Sequence, residues 1–238
     1  MMPNEMMVET TSVHVTGETP LHGFRGAITE ALPAGAPLGL SVAISREAGA
    51  RGASIAKRAG EKLGWDVYTQ DMLEFSAQNG ALLDDLRDRL TPDGRAWIDE
   101  RLDELLEAQN LSQHPNVLEV AKLVLALGAQ GNVILLGRGA GFILPSRTTL
   151  HVRLVAPLAD RVAYMSQWLR LTEEEAADQV RTRDHRRNDF VATHFHRKPN
   201  DIHLYDMLLN TSLLGEEKSA DLIVAAAKAK MTAVVGMD

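Results

Sequence analysis

An apolar run, Leu38 to Ile44, breaks directly into Ser45-Arg46-Glu47-Ala48-Gly49-Ala50-Arg51-Gly52-Ala53-Ser54-Ile55-Ala56, and the end of that stretch opens a run with helical period. A strand, a glycine turn and a helix in immediate succession fix a strand end and a helix start next to each other. The same arrangement can cradle a phosphate. Glycines let the backbone come close to an anion, and the first N–H groups of a helix have no intrahelical acceptor and point at it. The alternative reading is a plain strand-to-helix turn.

The phosphate-binding P-loop spells G-x-x-x-x-G-K-[ST]. Here Gly52 stands at the lysine position and Ser54 where the Ser/Thr belongs. The motif is degenerate, so the rest of the chain has to decide.

Downstream, strands alternate with helices, the pattern of a parallel sheet covered on both faces. Gly52 to Leu63 reads as a helix, with Ile55, Ala56, Ala59 and Leu63 on one face and Gly64 as its stop. Asp66 to Tyr68 reads as a strand. Met72 to Gln113 is helical and highly charged, with Pro92 after Thr91 as a helix start and Trp97, Ile98, Leu102, Leu105 and Leu106 as an apolar stripe. Val117 to Leu127 is a more apolar helix. Asn132 to Leu136 and Leu150 to Val155 are strands, and Leu158 to Leu169 is a helix. Thr172-Glu173-Glu174-Glu175 is a capping box that opens another helix. Tyr205 to Leu209 and Glu216 to Lys230 read as the last strand and the last helix. Residues 1–37 read as an extension, with a short helix at Phe24 to Leu32 and a Pro-containing linker at Pro33 to Pro37.

In such sheets, ligands bind beyond the carboxyl ends of the strands. Two further features fall there or at nearby helices. Gly137-Arg138-Gly139-Ala140-Gly141 follows an apolar strand, and its arginine can present a planar fork to a phosphate or carboxylate. The bland reading is a solvated loop arginine. Arg181, Arg183, Arg186 and Arg187 form the other. Arg183 and Arg187 fall on the stripe of Ala176 and Val180, so cations lie on a packed face and need an anion there. A bound phosphate or Asp184 would supply it. His194 and His196 suggest a metal, but they lack a partner pattern and read as a surface loop. Ser45, Ser54 and Thr69 carry hydroxyls without a nucleophile-elbow motif.

Composition narrows the classes. The chain of 238 residues has a net charge of −7, so no global basic field favours duplex nucleic acid. It has no cysteine, which excludes disulfides and thiolate chemistry and fits a reducing, cytoplasmic setting. No apolar stretch approaches the roughly 18 residues that span a bilayer. Glu5 and Glu9 interrupt any signal-peptide pattern, so no leader is expected.

Over about residues 39–231 the chain resembles the cytidylate kinase-like family of P-loop nucleoside monophosphate kinases. The resemblance rests on Ile44 to Glu47 with Gly49 to Ala56, Val133 to Leu144, and Leu150 to Leu158. It continues through Arg183-Asp184-His185-Arg186, Leu204 to Asp206 and Asn210-Thr211-Ser212. It implies an α/β three-layer sandwich with a five-stranded parallel sheet, a helical acceptor-binding insert (72–115) and a lid with Arg-rich helices (157–190). The whole domain would span 38–238.

The implied reaction moves the γ-phosphoryl group of ATP, with Mg²⁺, to a nucleoside monophosphate, CMP by resemblance. Arg46, Gly49, Ala50, Arg51, Gly52, Ala53 and Ser54 would hold the donor phosphates, with the Ser54 hydroxyl near the metal. Arg138, Gly137 and Asp71 would meet the acceptor. Arg183, Arg186 and Arg51 would stabilise charge on the transferring group. Arg161 would start the lid.

Departures from the authentic enzymes are Gly52 for lysine, Leu136 and Gly139 for two aspartates, and Arg187 for a third. They leave the cytidine-reading contacts without their family residues and point to a lysine-free, Gly-rich-turn subfamily. Arg51 or Arg46 is then expected to supply the missing charge. Other readings are a non-catalytic nucleotide or phosphate binder, and an interaction protein whose residues 1–37 dock onto a partner or onto a second subunit in a homo-oligomer. Nucleic-acid binding through the segment from Arg181 to Lys198 is disfavoured, and no membrane partner is expected.

Overall fold

The computed structural model describes residues 39–235, with side chains to residue 233. The expected extension and its short helix lie outside these residues. Among the described residues five strands make one all-parallel sheet. They are β1 (Ser41–Arg46), β2 (Asp66–Tyr68), β3 (Val133–Leu136), β4 (Thr149–Val155) and β5 (Met207–Asn210), in the order β2-β3-β1-β4-β5. From β1 the chain goes first to the edge strand β2, returns to β3 between the two, and then builds outward on the other side through β4 and β5. The reversal leaves a crevice beyond the carboxyl end of β1.

The helices are α1 (Gly52–Leu63), α2 (Gln70–Asn79), α3 (Ala81–Arg89), α4 (Pro92–Glu107), α5 (Pro115–Gln130), α6 (Ala140–Ile143), α7 (Leu158–Leu169), α8 (Glu173–Phe195) and α9 (Thr211–Val235). Side chains alternate across each strand, and both sheet faces are buried. Val42, Ile44, Ile134, Leu136, Val152 and Leu154 pack on one face with Ile55, Ala56 and Ala59 of α1 and Ile223 and Ala227 of α9. Ala43, Val133 and Leu135 pack on the other with α5 and with Trp97 and Ile98 of α4. The result is an α/β three-layer fold. A small separate core of Ala48, Val162, Met165, Ala176 and Val180 joins α7 to α8 beside the crevice.

Local chemistry sets most element ends. Thr91 caps α4 by accepting from Gly94 N, with Pro92 in the first helical turn. At α8, Thr172 accepts from Glu175 N while Glu175 accepts from Thr172 N, a reciprocal cap of about 1 kcal/mol.

Where reading and structure differ, tertiary contacts decide. The first strand is Ser41–Arg46 rather than 38–44, because pairing with β4 runs on through Ser45↔Arg153 and Arg46↔Leu154. The helical stretch of 72–113 is three helices, broken at Gly80 (φ 74°) and at Thr91. The last strand starts at Met207 instead of Tyr205, after a 3₁₀ turn at Ile202–Leu204. The last helix starts at Thr211 and is interrupted at Gly215, so the expected start at Glu216 marks its second segment. The glycine-rich stretch after β3, which reads as loop in the sequence, contains a short helix, α6.

Candidate functional site

β1 ends at Arg46, and α1 begins at Gly52 after five intervening residues. Arg51, in the left-handed region (φ 56°, ψ 26°), is its N-cap and makes no side-chain cap. The first intrahelical bond comes from Ile55 N to Arg51 O, 3.1 Å. The N–H groups of Gly52, Ala53 and Ser54 therefore have no intrahelical acceptor. The first turn carries no acidic residue either. The helix start is electropositive and bare.

The front half of the turn is different. Ala48 N donates to Asp184 Oδ1 at 2.7 Å and Ala50 N to Glu47 O at 3.3 Å. Arg161 Nη1 donates to Ala48 O at 3.1 Å and pairs with Asp184 Oδ2 at 2.5 Å. Glu47 Oε2 accepts from Ala156 N at 3.1 Å and lies 3.4 Å from Arg161 Nε. Arg161, only 8% exposed, thus braces the turn against α7 and α8. Asp184 pairs with this arginine, and its charge also reaches Arg187 on its own helix. Ala50 is fully buried, with its side chain in the core and its N–H turned back on Glu47. It does not border the cleft, because core packing takes its side chain the other way.

Beyond the strand ends lies a cleft of about 790 Å³. Seven arginines line it: Arg46, Arg51, Arg138, Arg153, Arg183, Arg186 and Arg187. The lining carboxylates are Glu47, already engaged, and Asp71. Gly49, Gly52, Ala53, Ser54 and Gly137 border it too. Among the described residues Arg46, Arg153, Arg183, Arg186 and Arg187 form no ion pair.

Arg46 is the centre of this charge. Burial, then repulsion from Arg187 and Arg138, pushes its guanidinium down to about 9. Its polar partner is Gln70 Oε1, 3.3 Å from Nη2, while its own carbonyl faces Arg187 Nη1 at 3.5 Å. Two glycines make room for it. A Cβ on Gly52 would stand 2.9 Å from Arg46 Cγ, and one on Gly137 would stand 2.3 Å from Arg46 Nη1. The residue at the lysine position is therefore small because the Arg46 side chain fills that space. Arg51 points elsewhere: its guanidinium lies 5.0 Å from the Tyr164 ring centroid.

Arg138, also left-handed (φ 51°), pairs with Glu74 and stands 4.5 Å over the Phe190 ring. Its Nε is buried without a hydrogen-bond partner. Burial holds both Arg138 and Arg187 below the usual arginine range. Arg138 and Phe190 also border a second cavity of about 680 Å³, lined by Glu74, His114, Asn116 and His194 among others. Of the Arg cluster on α8, Arg183, Arg186 and Arg187 reach the first cleft, whereas Arg181 is exposed and pairs with Asp178.

Arg153 is a cleft residue that the sequence does not single out. It is 8% exposed and lies 5.7 Å over the Tyr205 ring. The available signal is a charged residue near the carboxyl end of an apolar strand, opposite Ser45. Ser45 itself meets His151 Nε2 at 3.1 Å. Burial pushes this histidine down to about 4, so it is neutral at neutral pH. His194 is not in a loop. It lies in the last turn of α8 and meets Ser112 Oγ at 2.8 Å through Nδ1.

No group of three or more His, Asp or Glu suited to a metal occurs among the described residues. A magnesium ion that takes most of its ligands from phosphate and water needs fewer protein oxygens. The Ser54 hydroxyl and the Asp71 carboxylate border the same cleft and are of the right chemical type.

The sequence profile of the cytidylate kinase-like family matches residues 41–213, most of the chain. The chain belongs to the cytidylate kinase-like family. A cytidylate kinase of Methanopyrus kandleri is 27% identical over 143 residues, 56% of this chain and 74% of that protein. A uronate isomerase of Corynebacterium glutamicum is 32% identical over 92 residues, 38% of this chain, and the match spans only 18% of that protein's length. A solved structure of an uncharacterized protein from Eubacterium ventriosum shares the fold, with a TM-score of 0.61 at 15% identity over 80% of this chain and 99% of that one. Membership of this family suggests a nucleotide kinase. Among the described residues no helix is long and apolar enough to cross a membrane.

Proposed function

We propose that this protein transfers the γ-phosphoryl group of ATP, with Mg²⁺, to a nucleoside monophosphate-like acceptor, CMP being the one the family suggests. The observation that carries this reading is Arg46: a half-buried guanidinium in no ion pair, acted on more strongly by Arg187 and Arg138 than by the Asp71 carboxylate, beside a bare helix start. Such a group gains most from a polyanion. Phosphoryl transfer is mainly positioning and neutralisation of charge on phosphate oxygens, and preorganised donors in a dry site do this without reorganising.

In this reading the N–H groups of Gly52, Ala53 and Ser54 hold the donor phosphates, and Arg46 takes the part of the absent lysine. Arg51, over the Tyr164 ring, lines the same cleft and adds its charge beside Arg46. Arg183 and Arg187 reach the transferring group from α8, with Arg153 opposite and Arg186 at the outer rim. Arg138 holds the acceptor phosphate at the boundary of the two cavities, and the rest of the acceptor fills the second. An oxygen of the acceptor phosphate attacks the γ-phosphorus as the bond to the β–γ bridging oxygen breaks, giving a nucleoside diphosphate and ADP. At neutral pH the attacking oxygen is already deprotonated, so no general base is needed. When bound, Mg²⁺ supplies charge neutralisation on the donor oxygens, with Ser54 and Asp71 as this chain's ligands.

Purified protein with Mg-ATP and a panel of nucleoside monophosphates is expected to form ADP and the matching diphosphate. Folded protein that turns over none of them overturns the assignment. A non-catalytic binder is favoured by one observation: Glu74 already occupies Arg138. Calorimetry showing ATP binding that is indifferent to Mg²⁺ supports that second reading.

A further inference from the structure

The cleft has one wall that the phosphate chemistry does not use. On α7, Tyr164 and Trp168 are four residues apart and share a face of the helix. Both border the cleft that contains Gly52, Ser54 and Arg46. Tyr164 packs on the small core joining α7 to α8. Its ring is covered by the Arg51 guanidinium at 5.0 Å and lies nearly parallel to Trp168, with centroids 6.4 Å apart and planes 13° apart. The Trp168 indole is 63% exposed and is not part of that core.

We propose that Tyr164 and Trp168 form a stacking platform for the base of the donor nucleoside triphosphate, with a preference for purines. The inference rests on the kinase reading above and adds where the donor's base lies. The row Arg51, Tyr164, Trp168 starts at the residue that caps α1, where the phosphates are held, and runs outward. The other side of the phosphate site is taken by Arg138 and the second cavity. A triphosphate held at the helix start with its reacting end toward Arg138 must extend its sugar and base toward α7.

Base–aromatic stacking needs only a π-face on each partner. It therefore selects on ring area more than on hydrogen-bonding pattern, and an indole offers the largest face among the side chains. The platform also accounts for Arg51. Stacked on Tyr164, it fixes the inner ring while its charge stays near the α- and β-phosphates.

The test uses the full chain and two probes, ATP and inorganic tripolyphosphate, which carries the charge without a base. Calorimetry is run on wild type, Trp168→Ala and Trp168→Phe, with melting temperatures as a folding control. The expected result is about tenfold weaker ATP binding in Trp168→Ala, substantial retention in Trp168→Phe, and unchanged tripolyphosphate binding in both. ATP should also perturb the emission of wild type more than that of Trp168→Phe, and CTP should bind more weakly than ATP.

Equal loss for both probes, or no loss for ATP while tripolyphosphate still binds, overturns the platform and leaves the phosphate site standing. A change in sedimentation without a change in ATP affinity assigns the indole to a contact between copies and also overturns it. If wild type binds neither probe, the kinase reading falls and the platform with it.

Discussion

Two arginines on either side of the glycine turn, Arg161 buried and Arg46 half-buried, have opposite surroundings. Arg161 contacts the carboxylates of Asp184 and Glu47 and the carbonyls of Ala48 and Ala156. Arg46 has one side-chain amide oxygen, the Asp71 carboxylate at a distance and a set of like charges. Burying an ion costs several kcal/mol, which good geometry with counter-charges can offset. Arg161 meets that condition within the protein itself. Arg46 does not: Asp71 acts on it without pairing with it, and the repulsion of Arg187 and Arg138 outweighs that help. The difference separates an arginine that holds the turn together from one that, in the function proposed above, meets the phosphates of a ligand.

The comparison breaks most readily on stability. Arg161→Ala leaves Asp184 and Glu47 without their cation, and loss of one partner of a buried pair costs about 3–5 kcal/mol. Chemical denaturation should register a fall of that size, and a variant as stable as wild type contradicts the bracing role. Arg46→Ala should do the reverse. It removes a repelled, desolvated charge, so the protein melts no lower than wild type, while turnover falls about 10²- to 10³-fold, as for loss of one preorganised donor. An Arg46→Ala protein that loses stability and activity in parallel would place Arg46 with Arg161.

A smaller effect concerns pH. Below about pH 9 the Arg46 guanidinium is charged in the free protein, and tripolyphosphate affinity should be flat with pH. Above it the folded protein loses this proton while the unfolded chain keeps it, so anion affinity falls and the stability contribution of this group rises. Titrations from pH 7 to 10 should show the break in wild type and not in Arg46→Ala.

What the sequence discloses is local. The extent of α1, β2 and α7 and the capping box at Thr172 follow from periodicity and from residues at helix ends, which act within a few positions. The same locality explains Arg138 and the α8 arginines, which are legible from flanking glycines and from a stripe that changes from apolar to basic. Ala50 reads as a phosphate-loop residue because nothing in the turn's spelling says which residue faces the core. The choice between Arg46 and Arg51 stays open in the sequence for a similar reason. It depends on Tyr164 and Gly137, which lie far along the chain. The Arg161–Asp184 brace and the inward position of Arg153 also depend on how β4, α7 and α8 pack against β1, and no pattern in a single segment reports that.

The proposed assignment of the lysine's part to Arg46 has a mechanical corollary. Arg46 is the last residue of the central strand and is paired there with Leu154 of β4, so its root cannot shift without shifting that edge of the ladder. A cation planted there is a stationary post. In the proposed reaction, any travel needed to follow a phosphoryl group from one oxygen to another would fall to α7 and α8, which pack against each other through their own small core. Substituting lysine at position 52 alone would therefore crowd the post rather than restore the usual P-loop spelling, and the two positions should tolerate exchange only together.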